Sequence, residues 1–226
     1  MASRLLVSSI IFLIIFKVVA IYFTNFSLYG DEAQYWLWSQ KPDLGYYSKP
    51  PLLAWFLSGY LGLFGDSFLS IKTFPIAIYL FISYAIYKLC LNLSFNKKNA
   101  QFCAVSFLVI PAASLSSFLV STDLLLLLFW TTGMVLLLKT IKNNSNLNFL
   151  LLGLIIGLGF LAKYAAIYFL LCLLRLLVLE RKSLPSFIKN PVGVLVFLIS
   201  FVTVLSPNIL WNCNNGRISL CRTDDT

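Results

Sequence analysis

About seven apolar segments of membrane-crossing length occupy most of this 226-residue sequence. Each holds roughly 17 to 25 residues, the length that an α-helix needs to cross a hydrocarbon layer of ~30 Å. The segments lie near residues 5–24, 71–91, 100–118, 123–140, 147–163, 164–180 and 191–211. Only Lys163 and Tyr164 separate the fifth segment from the sixth. The pattern predicts an all-α fold, a polytopic transmembrane helix bundle with about seven spans.

The composition agrees with a membrane protein and excludes an ordinary soluble core. Hydrophobic residues make up 60% of the chain and charged residues only 11%, far from the balance of a soluble domain. A net charge of +9 would suggest a nucleic-acid partner in a soluble chain. In a membrane protein the distribution of that charge matters more than its sum. We therefore expect an integral, multi-pass membrane protein without a nucleic-acid partner.

Lysines and arginines in short loops predict the orientation of the bundle, because they collect on the cytoplasmic side. When seven spans alternate, one face receives ten of the basic residues: Arg4, Lys88, Lys97, Lys98, Lys139, Lys142, Arg175, Arg181, Lys182 and Lys189. The opposite face receives Lys41, Lys49, Lys72, Lys163, Arg217 and Arg222. The first face is then the cytoplasmic one, and the second is the outer one.

The first outer loop, about residues 25–70, is the longest connection between predicted spans. Two of its segments, 32–40 and 51–64, have helical lengths with aromatic and leucine faces, which is typical of helices that lie on a membrane surface. Pro50 and Pro51 separate them, because a residue before proline avoids helical geometry. We expect one transmembrane module over residues 1–212 and a short outer tail over residues 213–226 that could be truncated.

Five ionisable residues are predicted to share the outer interface, where a charged group is expensive to keep and therefore indicates function. They are Asp31, Glu32, Lys49, Asp123 and Lys163. Neighbouring residues on a helix diverge by about 100°, so Asp31 and Glu32 should have different roles. One should face the reaction centre, and the other should orient something. The alternative is that both cap a helix, since acidic residues suit a first helical turn.

The chain contains no histidine, so any acid–base step must use a carboxylate, a tyrosine or a lysine. Carboxylates and lysines at a water–lipid boundary suit the transfer of a group from a lipid phosphate to an acceptor hydroxyl. Asp31 can supply the general base for this reaction. Lys49 and Lys163 can stabilise the phosphate leaving group, and a bound divalent cation is an alternative source of that stabilisation.

Six short motifs occur in order between residues 31 and 212. They are Asp31-Glu32-Ala33-Gln34-Tyr35, Leu44 to Leu52, Leu63 to Ser67, Ser121-Thr122-Asp123, Leu161 to Tyr164 and Ser206 to Asn212. Together they resemble the integral-membrane glycosyltransferases related to dolichyl-phosphate-mannose protein mannosyltransferases and bacterial lipid A aminoarabinose transferases, a glycosyltransferase family 39-like group. The resemblance depends on all six motifs, because any single one would be weak.

The resemblance implies a multi-span GT-C type fold and an enzyme that takes a sugar from a polyprenyl-phosphate donor. The acceptor hydroxyl would belong to lipid A, a glycan or a protein, on the periplasmic face of a bacterial inner membrane. Asp31 corresponds to the catalytic carboxylate, and Glu32 and Asp123 are the further catalytic candidates. Lys49 and Lys163 correspond to donor-phosphate contacts. The residues expected to line the substrate are Tyr35, Tyr46, Tyr47 and Tyr164, and a divalent cation, if present, would bind Asp31, Glu32 or Asp123.

The sequence departs from the family pattern in two ways. Ser48 stands where some relatives have an acid or another polar ligand, which leaves a metal site in the first loop open. The relatives are also about twice as long, so an inactive gene fragment that retains only the fold is one alternative function. A transporter or channel subunit is another, with Asp31, Asp123 and Lys163 as relay groups. Such groups usually lie near mid-membrane, whereas these three are predicted at span ends.

Overall fold

The computed structural model describes residues 2–23, 27–179 and 190–215, and within these ranges the protein is a membrane helix bundle without β-strands. The predicted all-α fold is therefore confirmed. The α-helices are α1 (Ala2–Phe23), α2 (Gly30–Gln40), α3 (Leu52–Phe64), α4 (Phe68–Asn92), α5 (Lys97–Val109), α6 (Pro111–Ser116), α7 (Thr122–Lys142), α8 (Asn146–Ala162), α9 (Ile167–Leu179) and α10 (Pro191–Asn214). Most of the predicted outer tail, residues 216–226, lies outside the described ranges.

Helices lie at all seven predicted spans, although their lengths differ. In the described ranges α4, α7 and α10 are long and apolar enough to cross a membrane on their own. Shorter apolar helices lie at Ile10–Phe23, Leu52–Phe64, Asn146–Ala162 and Tyr164–Leu179. The predicted third span is broken between α5 and α6, because Pro111 lacks an amide hydrogen and Ile110 before it leaves the helical geometry. Which of the shorter helices cross the membrane stays a prediction.

The predicted first outer loop contains the two expected helices, α2 and α3. Residues 41–51 between them are not helical, as the proline pair at 50–51 predicts. A left-handed glycine, Gly65 with φ of 85°, ends α3 and lets its amide donate to the Leu61 carbonyl at 2.8 Å. The Ser67 hydroxyl then accepts from the Ser70 amide at 3.1 Å and caps α4. The third motif, residues 63–67, therefore connects α3 to α4.

The chain forms two compact units, and the first consists of Met1–Pro42 and Leu53–Leu124. In it α4 packs against α5, and α1 contacts both. Two buried polar groups of this unit show how such groups are hydrogen-bonded away from water. The Ser83 hydroxyl of α4 donates to the Ala104 carbonyl of α5 at 2.8 Å. The Lys17 amine of α1 donates to the Ser114 carbonyl of α6 at 2.9 Å.

The second unit consists of Asp43–Leu52 and Leu125–Thr226, and its most extensive contact is between α8 and α10. Two glycines of α8 permit this contact. A Cβ atom on Gly153 would collide with Ser200 and with the Phe197 carbonyl, and one on Gly157 would lie 2.9 Å from the Cβ atom of Val204. Small residues four positions apart are typical of closely packed membrane helices. The glycine spacing therefore determines how closely α8 and α10 can approach.

Candidate active site

Asp31 and Glu32 lie in the first turn of α2, and their side chains diverge. Asp31 is exposed, whereas Glu32 is only 1% exposed. The Glu32 Oε2 atom accepts a hydrogen bond from the Tyr29 amide at 3.0 Å, so this carboxylate does cap its helix. The predicted divergence of the two side chains is thus confirmed, and their separate roles in catalysis stay predictions.

Glu32 also forms a buried ion pair with Lys72 of α4. The Lys72 Nζ atom lies 2.5 Å from Glu32 Oε2, and the two side chains are 7% and 2% exposed. The other carboxylate oxygen, Oε1, accepts from the Val120 amide at 2.9 Å. A buried charge is tolerated only when it is paired and hydrogen-bonded, and Glu32 meets both conditions. The pair therefore joins α2 to α4 and to the segment that leads into α7.

Lys72 was not predicted to belong to the site, because its position placed it among the basic residues of the outer face. Its position could have identified it, because Lys72 is the second residue of the predicted span 71–91. An ionisable residue inside a membrane segment requires a partner. Lys17 carries the same signal within the first span, and the structure places its amine against oxygens of Ser114 and Ser117.

Asp123 lies in the first turn of α7 and is exposed. Asp123 lies three residues after Val120, and the Val120 amide donates to Glu32. The Glu32 carboxylate therefore connects the first turn of the helix that carries Asp31 with the residues just before the helix that carries Asp123. The first unit brings the starts of these two helices together.

Aromatic residues fix the rest of α2 in the first unit. The Trp36 indole N–H donates to Asp66 at 2.8 Å, which connects the residue directly after the first motif to the Leu63–Ser67 motif. Tyr35 is only 1% exposed, and its ring packs edge-on against Trp38 with ring centres 5.7 Å apart. The predicted role of Tyr35 in lining the substrate stays a prediction, and in this structure its side chain belongs to the packed interior.

In the second unit three of the six motifs meet at Asn208. This side chain is 4% exposed, and its amide nitrogen donates to the Leu44 carbonyl at 2.8 Å. Its amide oxygen accepts from the Tyr164 hydroxyl at 3.2 Å. Next to this junction Gly45 lies against Trp211, and a Cβ atom on Gly45 would overlap the indole ring. The loop that carries Lys49 is thereby held against α10 and against the residue that follows Lys163.

Both predicted phosphate-binding lysines lie in non-helical backbone of the second unit and are half-buried. Lys163 is extended, with φ of −159° and ψ of 132°, between the end of α8 and the short 3₁₀ turn Tyr164–Ala166. Lys49 precedes Pro50 in the loop. The predicted break between the fifth and sixth apolar segments is confirmed, because the helix ends at the residue before Lys163.

The remaining predicted substrate-lining tyrosines differ in exposure. Tyr46 is 8% exposed and Tyr47 is 53% exposed. The Tyr46 hydroxyl oxygen accepts from the Asp43 amide at 3.0 Å. Burial raises the pKa of the Tyr46 phenol, and the nearby Asp43 carboxylate raises it further, while the hydrogen bond from the Asp43 backbone acts in the opposite direction. Tyr46 therefore stays a neutral phenol at physiological pH.

The three candidate carboxylates belong to the first unit and the two candidate lysines to the second, so the five-residue site stays a prediction. The described residues contain no group of three or more Cys, Asp or Glu side chains that could hold a metal ion. Both oxygens of Glu32 are already occupied by Lys72 and two backbone amides.

Comparison with known proteins yields a family and a relative. Residues 48–211, well over half of the chain, match the family described as dolichyl-phosphate-mannose-protein mannosyltransferase. The chain is also 28% identical, over 215 residues, to the lipid A galacturonosyltransferase RgtD of Rhizobium johnstonii. This alignment covers 93% of the chain and 44% of the relative, so the chain spans less than half the length of that protein. No solved structure matches the chain.

Proposed function

The chain belongs to the dolichyl-phosphate-mannose-protein mannosyltransferase family, and we propose that the protein transfers a sugar from a polyprenyl-phosphate donor to an acceptor hydroxyl. The similarity to a protein named a lipid A galacturonosyltransferase supports sugar transfer. It also supports a lipid or glycan acceptor. We place the reaction on the outer face of the membrane, which is the periplasmic face of an inner membrane, because the predicted orientation puts all five candidate site residues there.

The observation that carries the proposal is the Glu32 junction in the first unit. It joins the first turn of α2 to Val120, three residues before Asp123, and both Asp31 and Asp123 are exposed. Exposed acids at the first turns of neighbouring helices, at the ends of apolar segments, suit a reaction at the membrane surface. Relay groups of a transporter usually lie near mid-membrane on interrupted helices, so this placement favours the transferase over the transporter.

The proposed reaction assigns one role to each residue. Asp31 accepts the proton of the acceptor hydroxyl while that oxygen attacks the anomeric carbon of the donor sugar. The bond between that carbon and the phosphate oxygen breaks, and the phosphate leaves with the electron pair. Lys49 and Lys163 stabilise the negative charge of the leaving phosphate. Asp123 is the second carboxylate of the site, and Tyr46, as a neutral phenol, can donate a hydrogen bond to a sugar or phosphate oxygen.

The phosphate contacts can be tested by donor binding. A lost charge-assisted contact costs about 1.5 to 3 kcal/mol, so Lys49→Met and Lys163→Met should each weaken the Kd for a polyprenyl-phosphate sugar by roughly 10- to 150-fold. Lys→Arg at either position should keep part of the affinity, since the charge remains. Lys139→Met removes a lysine from the last turn of α7, on the predicted cytoplasmic side, and serves as the matched control.

Unchanged donor affinity in both methionine variants would contradict the assignment. The two lysines would then be anchors whose amines reach the membrane surface while their stems stay in apolar surroundings. The measurement is titration of the purified protein in nanodiscs with a donor that carries a fluorescent lipid chain.

A further inference from the structure

We infer that the buried Glu32–Lys72 pair is a positioning device that sets the places of both candidate acids, Asp31 and Asp123. The inference rests on the proposed function, because it concerns the same site. Lys72 lies outside all six sequence motifs. Neither side chain of the pair needs to touch a substrate for this role, since both act through the backbone that they hold.

Both carboxylate oxygens of Glu32 accept hydrogen bonds. Oε2 receives the Lys72 amine at 2.5 Å and the Tyr29 amide at 3.0 Å, and Oε1 receives the Val120 amide at 2.9 Å. Three donors from three separate parts of the chain thus converge on one carboxylate. Only an ionised carboxylate can accept from all of them, because a protonated acid or an amide would present a donor of its own.

Lys72 is held in place by more than its partner. Its amine lies 6.0 Å from the centre of the Tyr29 ring and 5.9 Å from that of Phe68, within the range of a cation–π interaction. It also lies 3.5 Å from the Phe118 carbonyl. These groups line a cleft of about 470 Å³ whose other walls are apolar. In such surroundings the position of each charged group of the pair depends on the other.

The segment before Asp123 is fixed at both ends. Lys17 of α1 donates to the Ser114 carbonyl at 2.9 Å and to the Ser117 hydroxyl at 2.5 Å. Glu32 binds the same segment three residues later, at the Val120 amide. Because α7 begins at Thr122, the backbone between Ser114 and Val120 determines where the first turn of α7 presents Asp123. Loss of the Glu32 contact would release only the end nearest to the acid.

The experiment measures hydrogen exchange at the Val120 amide together with the kinetics of sugar transfer. In Glu32→Gln the single amide oxygen should turn to Lys72, the charged donor, and leave the Val120 amide without an acceptor. We expect exchange at Val120 to rise by about 10-fold or more. We expect kcat to fall by about 10-fold or more while the KM for the donor changes less than about 3-fold. Lys72→Met removes the other partner of the pair. Lys88→Met, the same substitution elsewhere on α4, is its control.

A double variant separates positioning from stability. Glu32→Leu with Lys72→Met removes both charges and the acceptor, so its thermal unfolding temperature should recover relative to either single variant. Its kcat should stay low, because no side-chain oxygen at position 32 accepts from the Val120 amide. Recovery of wild-type kcat in the double variant, or unchanged Val120 exchange in Glu32→Gln, would overturn the inference. If the wild type itself shows no donor-dependent transfer, the proposed function fails, and the exchange at Val120 still decides whether Glu32 holds this segment.

Discussion

Replacing Asn208 with leucine tests whether one buried amide holds three motifs of the second unit together. The variant keeps a side chain of similar size but removes the donor to the Leu44 carbonyl and the acceptor for the Tyr164 hydroxyl. Two hydrogen bonds contribute about 1 kcal/mol each, so we expect the free energy of unfolding to fall by about 2 kcal/mol.

The effect should be concentrated in the loop that carries Lys49. Hydrogen exchange should rise across residues 43–52, which the Asn208 amide and the Trp211 ring hold in place. Donor affinity should fall as well, although no phosphate contact has been removed. Asn215→Leu is the matched control, because Asn215 is exposed and its side-chain amide donates to the Trp211 carbonyl of the same helix at 2.8 Å. A surface change of this kind is usually within about 0.5 kcal/mol.

Equal effects of Asn208→Leu and Asn215→Leu on stability and on exchange in residues 43–52 would refute this reasoning. The contact between the loop and α10 would then contribute nothing to the position of Lys49.

Two further predictions concern the bundle. Gly153→Ala should destabilise the protein by about 1 to 3 kcal/mol through overpacking against α10. Gly159→Ala on the same helix should be neutral or stabilising, because a Cβ atom there would meet its neighbours at 3.5 and 3.6 Å. Thermal unfolding in detergent compares the two variants, and equal losses of stability would contradict the close α8–α10 contact. The orientation can be tested by cysteine labelling in a chain whose five native cysteines are replaced. A cysteine at position 43 should react with an impermeant reagent added from outside, and one at position 97 should not. The reverse pattern would show that the predicted topology is inverted.

The helices could be predicted from the sequence because the length of an apolar segment is a local property. The hydrocarbon layer requires it whatever the helix packs against. The break between α8 and α9 was also predictable, since Lys163 and Tyr164 interrupt the apolar sequence where the helix ends. The break at Pro111 had a local signal as well, the proline itself, but the predicted span 100–118 ran through it.

The partners of buried polar residues could not be predicted in the same way. The hydrogen bonds of Glu32 join residues that are far apart in sequence, 40 positions for Lys72 and 88 for Val120. The bond between Asn208 and Leu44 joins residues 164 positions apart. Periodicity and composition contain no information about such pairs. The sequence indicates only that a charge inside an apolar span needs a partner, as for Lys17 and Lys72.

The six motifs were predicted as functional, and the structure gives several of their residues a structural reason. Gly65 adopts the left-handed conformation that ends α3. Gly45 leaves room for the Trp211 ring. Asn208 joins three segments of the second unit. Residues such as these fix the local backbone within each unit, whereas the exposed acids Asp31 and Asp123 remain the candidates for the chemistry.

The most direct test of the proposed function is the turnover of Asp31→Asn with a polyprenyl-phosphate sugar and an acceptor. The substitution keeps the shape and most of the hydrogen-bonding capacity of the side chain but removes its ability to accept a proton. If Asp31 is the general base, the donor should bind with wild-type affinity while turnover falls by roughly 10²-fold or more. Near-normal turnover would contradict the account, remove Asp31 from the mechanism and make Asp123 the next candidate.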